Sequence, residues 1–142
     1  MMKKNIQSGS VLLEALVALM LFATGIIGLI GLQAAAFSDV AQSKYRMEAS
    51  FLANQIIASM WVDKSAQVPS YASIGGTKTA AWLAQVNNTL PGAATNPPTI
   101  VVTNKSDATG ARYEVTVTIS WVPPKDTVPH RYVGSAFINR NI

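Results

Sequence analysis

The one charge inside the most apolar stretch of the chain is Glu14. No other side chain between residues 5 and 38 is charged, and the 24 residues from Ala15 to Ser38 carry none. A carboxylate in such a place can do one of two things. It can neutralise a cation where solvation is poor, or it can snorkel to the headgroup region of a membrane. Just before it stand Lys3, Lys4, Gly9 and Ser10. Elsewhere reactive side chains are sparse. The chain has no cysteine, which excludes disulfides, thiolate nucleophiles and thiolate metal sites. Its single histidine, His130, excludes any two-histidine metal motif and is expected in an exposed loop or at a strand start. Asp39, Glu48, Asp63, Asp107, Glu114 and Asp126 are scattered, and Gly75-Gly76 stands apart from any phosphate-cradling pattern. No catalytic residues, no metal ligands and no cofactor are expected, and the chain is not expected to be an enzyme.

Composition narrows the class further. The 142 residues suit one domain. Charged residues make up 13%, against roughly 25% in an ordinary soluble domain. The formal net charge is +4, with Lys and Arg scattered singly, so no nucleic-acid patch is expected. The chain divides into a hydrophobic N-terminal element and a soluble remainder of roughly 100 residues, enough for a modest core.

Thr24 is the only polar side chain between Ala15 and Leu32. A helix needs about 20 apolar residues to cross a bilayer core of about 30 Å, which Val11 to Leu32 provides. Lys3 and Lys4 ahead of it place the N-terminus in the cytoplasm and the rest outside. Three readings compete. A cleaved secretory signal would use Ala34-Ala35-Ala36 as its site, but the apolar run exceeds the usual ~7–15-residue core of such signals. A plain single-pass anchor explains the length and leaves Glu14 incidental. The third reading concerns the local order of residues.

The string Lys3-Lys4-Asn5-Ile6-Gln7-Ser8-Gly9-Ser10-Val11-Leu12-Leu13-Glu14 resembles the class III signal sequence of the type IV pilin family. That pattern is a short basic leader ending in Gly, then an apolar helix with Glu at its fifth position. The resemblance implies a leader at 1–9, cut between Gly9 and Ser10 by a prepilin peptidase, with methylation of the new N-terminus at Ser10. Most members have Phe after the cut where this chain has Ser10. The resemblance further implies a transmembrane and fibre-core helix at 10–38 and a periplasmic domain at 39–142. Glu14 would pair with the new amine of its own or a neighbouring subunit and so set register in assembly.

The helix is expected to continue beyond the membrane. Phe37, Ala41, Tyr45, Ala49, Leu52, Ile56 and Met60 trace one helical face, and no proline interrupts Ser10 to Val62. At 1.5 Å per residue this helix is about 80 Å long. A break near Gln33 is the alternative. Gly25, Gly28 and Gly31 lie inside the span, each costing roughly 1 kcal/mol relative to Ala. Many major pilins carry a helix-breaking proline where this chain has Gly31, which speaks against a bulk fibre subunit.

Residues 63–78, with Pro69 and Gly75-Gly76, are expected to be a loop. Trp82, Leu83, Val86 and Leu90 predict a short helix over Thr79–Leu90, with Trp82 as a core anchor. A short strand is expected at Thr99–Thr103, a turn within Lys105–Gly110, and a third strand at Arg131–Ile138. The clearest strand is Arg112–Val122, in which Tyr113, Val115, Val117, Ile119 and Trp121 alternate with polar residues. The expected fold is therefore α+β: a long N-terminal helix, half membrane and half amphipathic, packed on a small antiparallel sheet. That is also the pilin architecture. Trp82 ahead of Leu90-Pro91-Gly92, and the strand ending in Ser120-Trp121, resemble minor pilins of the PilV kind.

The function that the resemblance implies is a structural minor pilin of a type IV pilus, acting in pilus assembly, twitching motility or adhesion. Its partners would be the prepilin peptidase, other minor and major pilins, the inner membrane and the pilus assembly platform. The chain would sit in the bacterial inner membrane as a single-pass protein with a periplasmic domain, then in the fimbrium. One alternative is a minor pseudopilin of a type II secretion system. Another is an anchored or secreted binding domain using the surfaces around Trp82 and Tyr71. Asn87-Asn88-Thr89 and Asn104-Lys105-Ser106 match glycosylation sequons, which are frequent by chance.

Overall fold

A long stretch without proline, rich in Ala and Leu, favours helix throughout. In the computed structural model one helix, α1, runs Ser8–Val62. The structure describes residues 8–108, 110–124 and 126–140. The expected helix of Ser10–Val62 is present as a continuous element, and no break occurs at Gln33 or at the three glycines. The basic leader residues Lys3 and Lys4 lie outside the described residues. The chain forms two units, one ending at Val40 and one beginning at Ala41.

In the first unit the helix exposes apolar side chains on all sides, Leu12, Leu16, Leu19, Phe22 and Ile27 among them. Thr24, its one polar side chain between Ala15 and Leu32, donates from Oγ1 to the Met20 carbonyl at 2.7 Å. That bond to the preceding turn leaves no unpaired hydroxyl hydrogen on the apolar surface.

The second unit holds the core. Ala49, Leu52, Ala53, Ile56, Ile57 and Met60 of α1 are buried together with residues of every later element. Phe37, expected at the head of this face, is instead 74% exposed. Burial begins partially at Ala41 and Tyr45 and is complete from Ala49, because the other elements supply partners only for the last turns of α1. The helix stops at Asp63, whose carboxylate accepts from the Lys64 backbone N–H at 2.9 Å.

The expected loop at 63–78 contains a 3₁₀ segment, Ser65–Ala72. Pro69 supplies a φ suited to such a turn. The three-residue repeat of a 3₁₀ helix places Val68 and Tyr71 on one side, and both are buried. Helix α2, Ala80–Thr89, follows the buried Thr79, whose hydroxyl donates to the Ser73 carbonyl at 2.7 Å. Trp82 is 6% exposed and its indole N–H donates to the Leu52 carbonyl at 2.9 Å. This bond ties α2 to α1. The Trp82 and Tyr71 side chains themselves are therefore interior.

Strands β1 (Thr99–Asn104), β2 (Ala111–Trp121) and β3 (His130–Arg140) form an antiparallel sheet in the order β1-β2-β3. The register aligns Ile100 with Val117 and Val117 with Gly134. Val115, Val117, Ile119 and Trp121 are buried while Thr116, Thr118 and Ser120 are half-exposed, as period two predicts; Tyr113 is only half-buried. Two glycines permit close approach. A Cβ on Gly134 would stand 3.2 Å from the Tyr132 ring and 3.6 Å from Ala53 of α1. Gly92 has φ +71, and a Cβ there would meet Val122 at 3.0 Å, where the Val122 N–H donates to the Pro91 carbonyl at 2.8 Å.

Candidate functional site

The residues singled out by sequence are Gly9, Ser10 and Glu14. All three lie at the start of α1 and all are exposed. Gly9 occupies the first turn, and a Cβ there would have nothing within 4 Å. A protease can therefore reach the Gly9–Ser10 bond without displacing packed side chains. It must unwind one helical turn to do so, and a first turn has few intrahelical hydrogen bonds to lose.

Ser10 and Glu14 are four residues apart and share one side of the helix, about 6 Å along its axis. Glu14 makes no ion pair among the described residues. If Ser10 became the N-terminus, its α-amino group would carry a positive charge one turn from this carboxylate. The unpaired N–H groups of the helix start would favour the carboxylate as well. On the C-terminal side the helix exposes apolar side chains through the next several turns, Thr24 excepted. By length and composition it is apolar enough to cross a membrane, and it is the one such helix among the described residues. Among the described residues Glu14 is the one carboxylate in this apolar part of the helix.

Besides the exposed Lys105–Glu114 pair, the described residues hold two charged clusters with lowered carboxyl pKa values, and sequence reasoning missed both. Asp63 accepts from Lys78 Nζ at 2.6 Å and from the Tyr71 hydroxyl at 3.1 Å. The Lys78 bond first, then the Lys64 backbone N–H, holds its carboxyl below the usual range. Tyr71 is pushed up, by burial first and by Asp63 second. This cluster joins the end of α1, the 3₁₀ segment and the approach to α2. The second cluster closes the β2–β3 connection. Asp126 Oδ2 lies 2.7 Å from His130 Nε2, and that bond is the main cause of the lowered Asp126 pKa. The His130 ring stacks on Trp121 with centroids 6.0 Å apart. His130 indeed starts a strand, but it is paired and partly covered. The four-residue spacing of Asp126 and His130 was visible in sequence. The 15-residue separation of Asp63 and Lys78 carried no signal. Neither cluster gathers three metal-ligating groups, and none does so among the described residues.

A shallow groove of about 580 Å³ lies along the last turns of α1, lined by Gln55, Ala58, Ser59, Val62 and Asp63.

Comparison with known proteins finds no matching family model, no matching curated protein and no matching solved structure.

Proposed function

We propose that this chain is a minor subunit of a type IV pilus, a structural protein held by α1 in the bacterial inner membrane and transferred from there into the fibre. The observation that carries the proposal is the placement of Glu14. It is the single charged side chain of the apolar half of α1, one helical turn after Gly9-Ser10. The α+β layout supports it, with the last turns of α1 buried against a three-stranded antiparallel sheet.

In this proposal a prepilin peptidase cuts between Gly9 and Ser10 and the apolar helix is retained. The new amine, methylated or free, is neutralised by Glu14 of the same or an adjoining subunit. An unpaired buried charge costs several kcal/mol, so only registers that form the pair are populated. The domain from Ala41 onward remains periplasmic and faces other pilins. Energy for assembly comes from a separate ATPase acting through the assembly platform.

The deciding measurement is the N-terminus of membrane-extracted protein, by intact mass and terminal sequencing. A mature chain starting at Ser10 with the helix retained is expected, and Gly9→Val should leave the leader attached. A chain starting at Phe37 would establish secretory cleavage instead and overturn the proposal.

A further inference from the structure

Strand β3 is an edge strand with one side unpaired. It pairs with β2 alone, and no other element donates or accepts a backbone hydrogen bond along it among the described residues. The opposite edge of the sheet differs: β1 has six residues and lies against the 3₁₀ segment. β3 has eleven residues, and its ladder to β2 contains no bulge. Edges that must stay unpaired are usually blunted by a charge, a proline or a bulge. From Tyr132 to Asn139 this edge has no charge and no proline, and Val133 and Phe137 are 52% and 48% exposed.

A row of open N–H and C=O groups is matched by another extended strand, and the side chains of β3 select which one. The midpoint of His130–Arg140 is Ser135. Two β3 strands set antiparallel about Ser135 overlap along their whole length. Val133 then opposes Phe137 on the exposed face, and Tyr132 opposes Ile138 on the core face. Aromatic and β-branched residues are a favoured cross-strand combination, and here each occurs twice by symmetry. Gly134 meets Ala136, Ser135 meets itself and Arg131 meets Asn139, so no like charges oppose one another from 131 to 139. In the existing ladder Tyr113 pairs with Ile138 and Ile119 with Tyr132. The core-face row would therefore run Tyr113, Ile138, Tyr132, Ile119 across four strands. Moving the axis to Gly134 or Ala136 shortens the overlap and sets Val133 against Ser135 or Asn139.

We propose that two copies of this chain pair antiparallel along β3, about Ser135, and join their sheets into one of six strands. The pairing uses only the unit beginning at Ala41 and stands apart from the pilus proposal.

Because the chain has no cysteine, single cysteines give clean crosslinking probes. Full-length variants in detergent would be treated with a short reagent that bridges two thiols. Ser135→Cys should crosslink to itself. Arg131→Cys mixed with Asn139→Cys should yield the heterodimer and neither homodimer, because like positions would stand eight residues apart, roughly 26 Å. Val133→Lys, added to Ser135→Cys, should abolish the crosslink by setting a charge against Phe137 of the second copy. Thr103→Lys, on exposed β1, should not. Both lysine variants should keep the thermal midpoint of the parent. Absence of the Ser135→Cys crosslink overturns the proposal, as do homodimers at 131 or 139 equal to the heterodimer, or insensitivity to Val133→Lys. The assay contains no peptidase and no fibre, so its outcome is separate from the N-terminal test above.

Discussion

Leu19 and Leu52 belong to the same helix and meet opposite fates. Leu19 is exposed in the unit ending at Val40, amid side chains that are apolar all round the helix. Leu52 is buried in the unit beginning at Ala41, under α2 and the sheet. The described residues of the first unit cover none of its apolar surface, which is long and apolar enough to cross a membrane. The second covers itself on one face. The difference teaches that helix formation and burial are separate decisions. Local propensity makes helix in both units, and only long-range packing gives the second a core.

The largest effect should come from breaking the self-covered unit at its centre. Val117→Asp places a charge among fully buried residues and should abolish cooperative thermal unfolding of the full chain in detergent, a loss of more than about 3 kcal/mol. Thr118→Asp, on the half-exposed face, should melt close to wild type. Equal melting of the two would refute the strand phase.

The leucine pair sharpens the comparison. Leu52→Ala should cost about 2–5 kcal/mol, whereas Leu19→Ala should leave the unfolding of the second unit unchanged. A comparable loss from Leu19→Ala would mean that the two units do not melt independently.

Glu14 tests what covers the first unit. Glu14→Gln keeps shape and removes charge, so it should still be cleaved after Gly9 but enter sheared fibres at least about tenfold less, about 1.4 kcal/mol. Glu14→Ala should behave alike. Wild-type incorporation of both would reduce Glu14 to a snorkelling residue at the membrane edge and leave the fold untouched.

The smallest effect is a pH dependence confined to the second unit. The Asp63 and Asp126 carboxyls are both held below the ordinary value in the folded chain. Each therefore contributes stability that is present above about pH 4, the unfolded carboxylate value, and is lost as pH falls through the lower folded value. Asp63→Asn should flatten part of the acid limb of a melting-midpoint titration. An unchanged acid limb in the Asp63→Asn, Asp126→Asn double variant would show that neither pairing persists in solution.

Much of this architecture is legible in the amino-acid sequence. Absence of proline from Ser10 to Val62 announced one helix, the Trp82–Leu90 spacing announced α2, and the alternation from Tyr113 to Trp121 announced β2 with its buried phase. The misreadings share a cause. The 3₁₀ segment over Ser65–Ala72 has no four-residue apolar period to detect, and Phe37 continues a helical pattern whose covering partners begin only later. Gly9, Ser10 and Glu14 stand out in the sequence because their signal is local order along one stretch of chain.

The sequence by itself determined where helix and strand form and where the lone carboxylate stands, since periodicity, proline placement and charge are properties of neighbouring residues. Tertiary structure alone decided which apolar face of the last turns of α1 is covered. Met47, Phe51, Ala58 and Val62 repeat as regularly as Ala49, Leu52, Ile56 and Met60. Nothing in either pattern says which one the sheet will choose. The choice follows from connectivity. Trp82 hydrogen-bonds the Leu52 carbonyl, and Gly134 of β3 lies against Ala53, so the sheet and α2 close over one side and leave the other exposed.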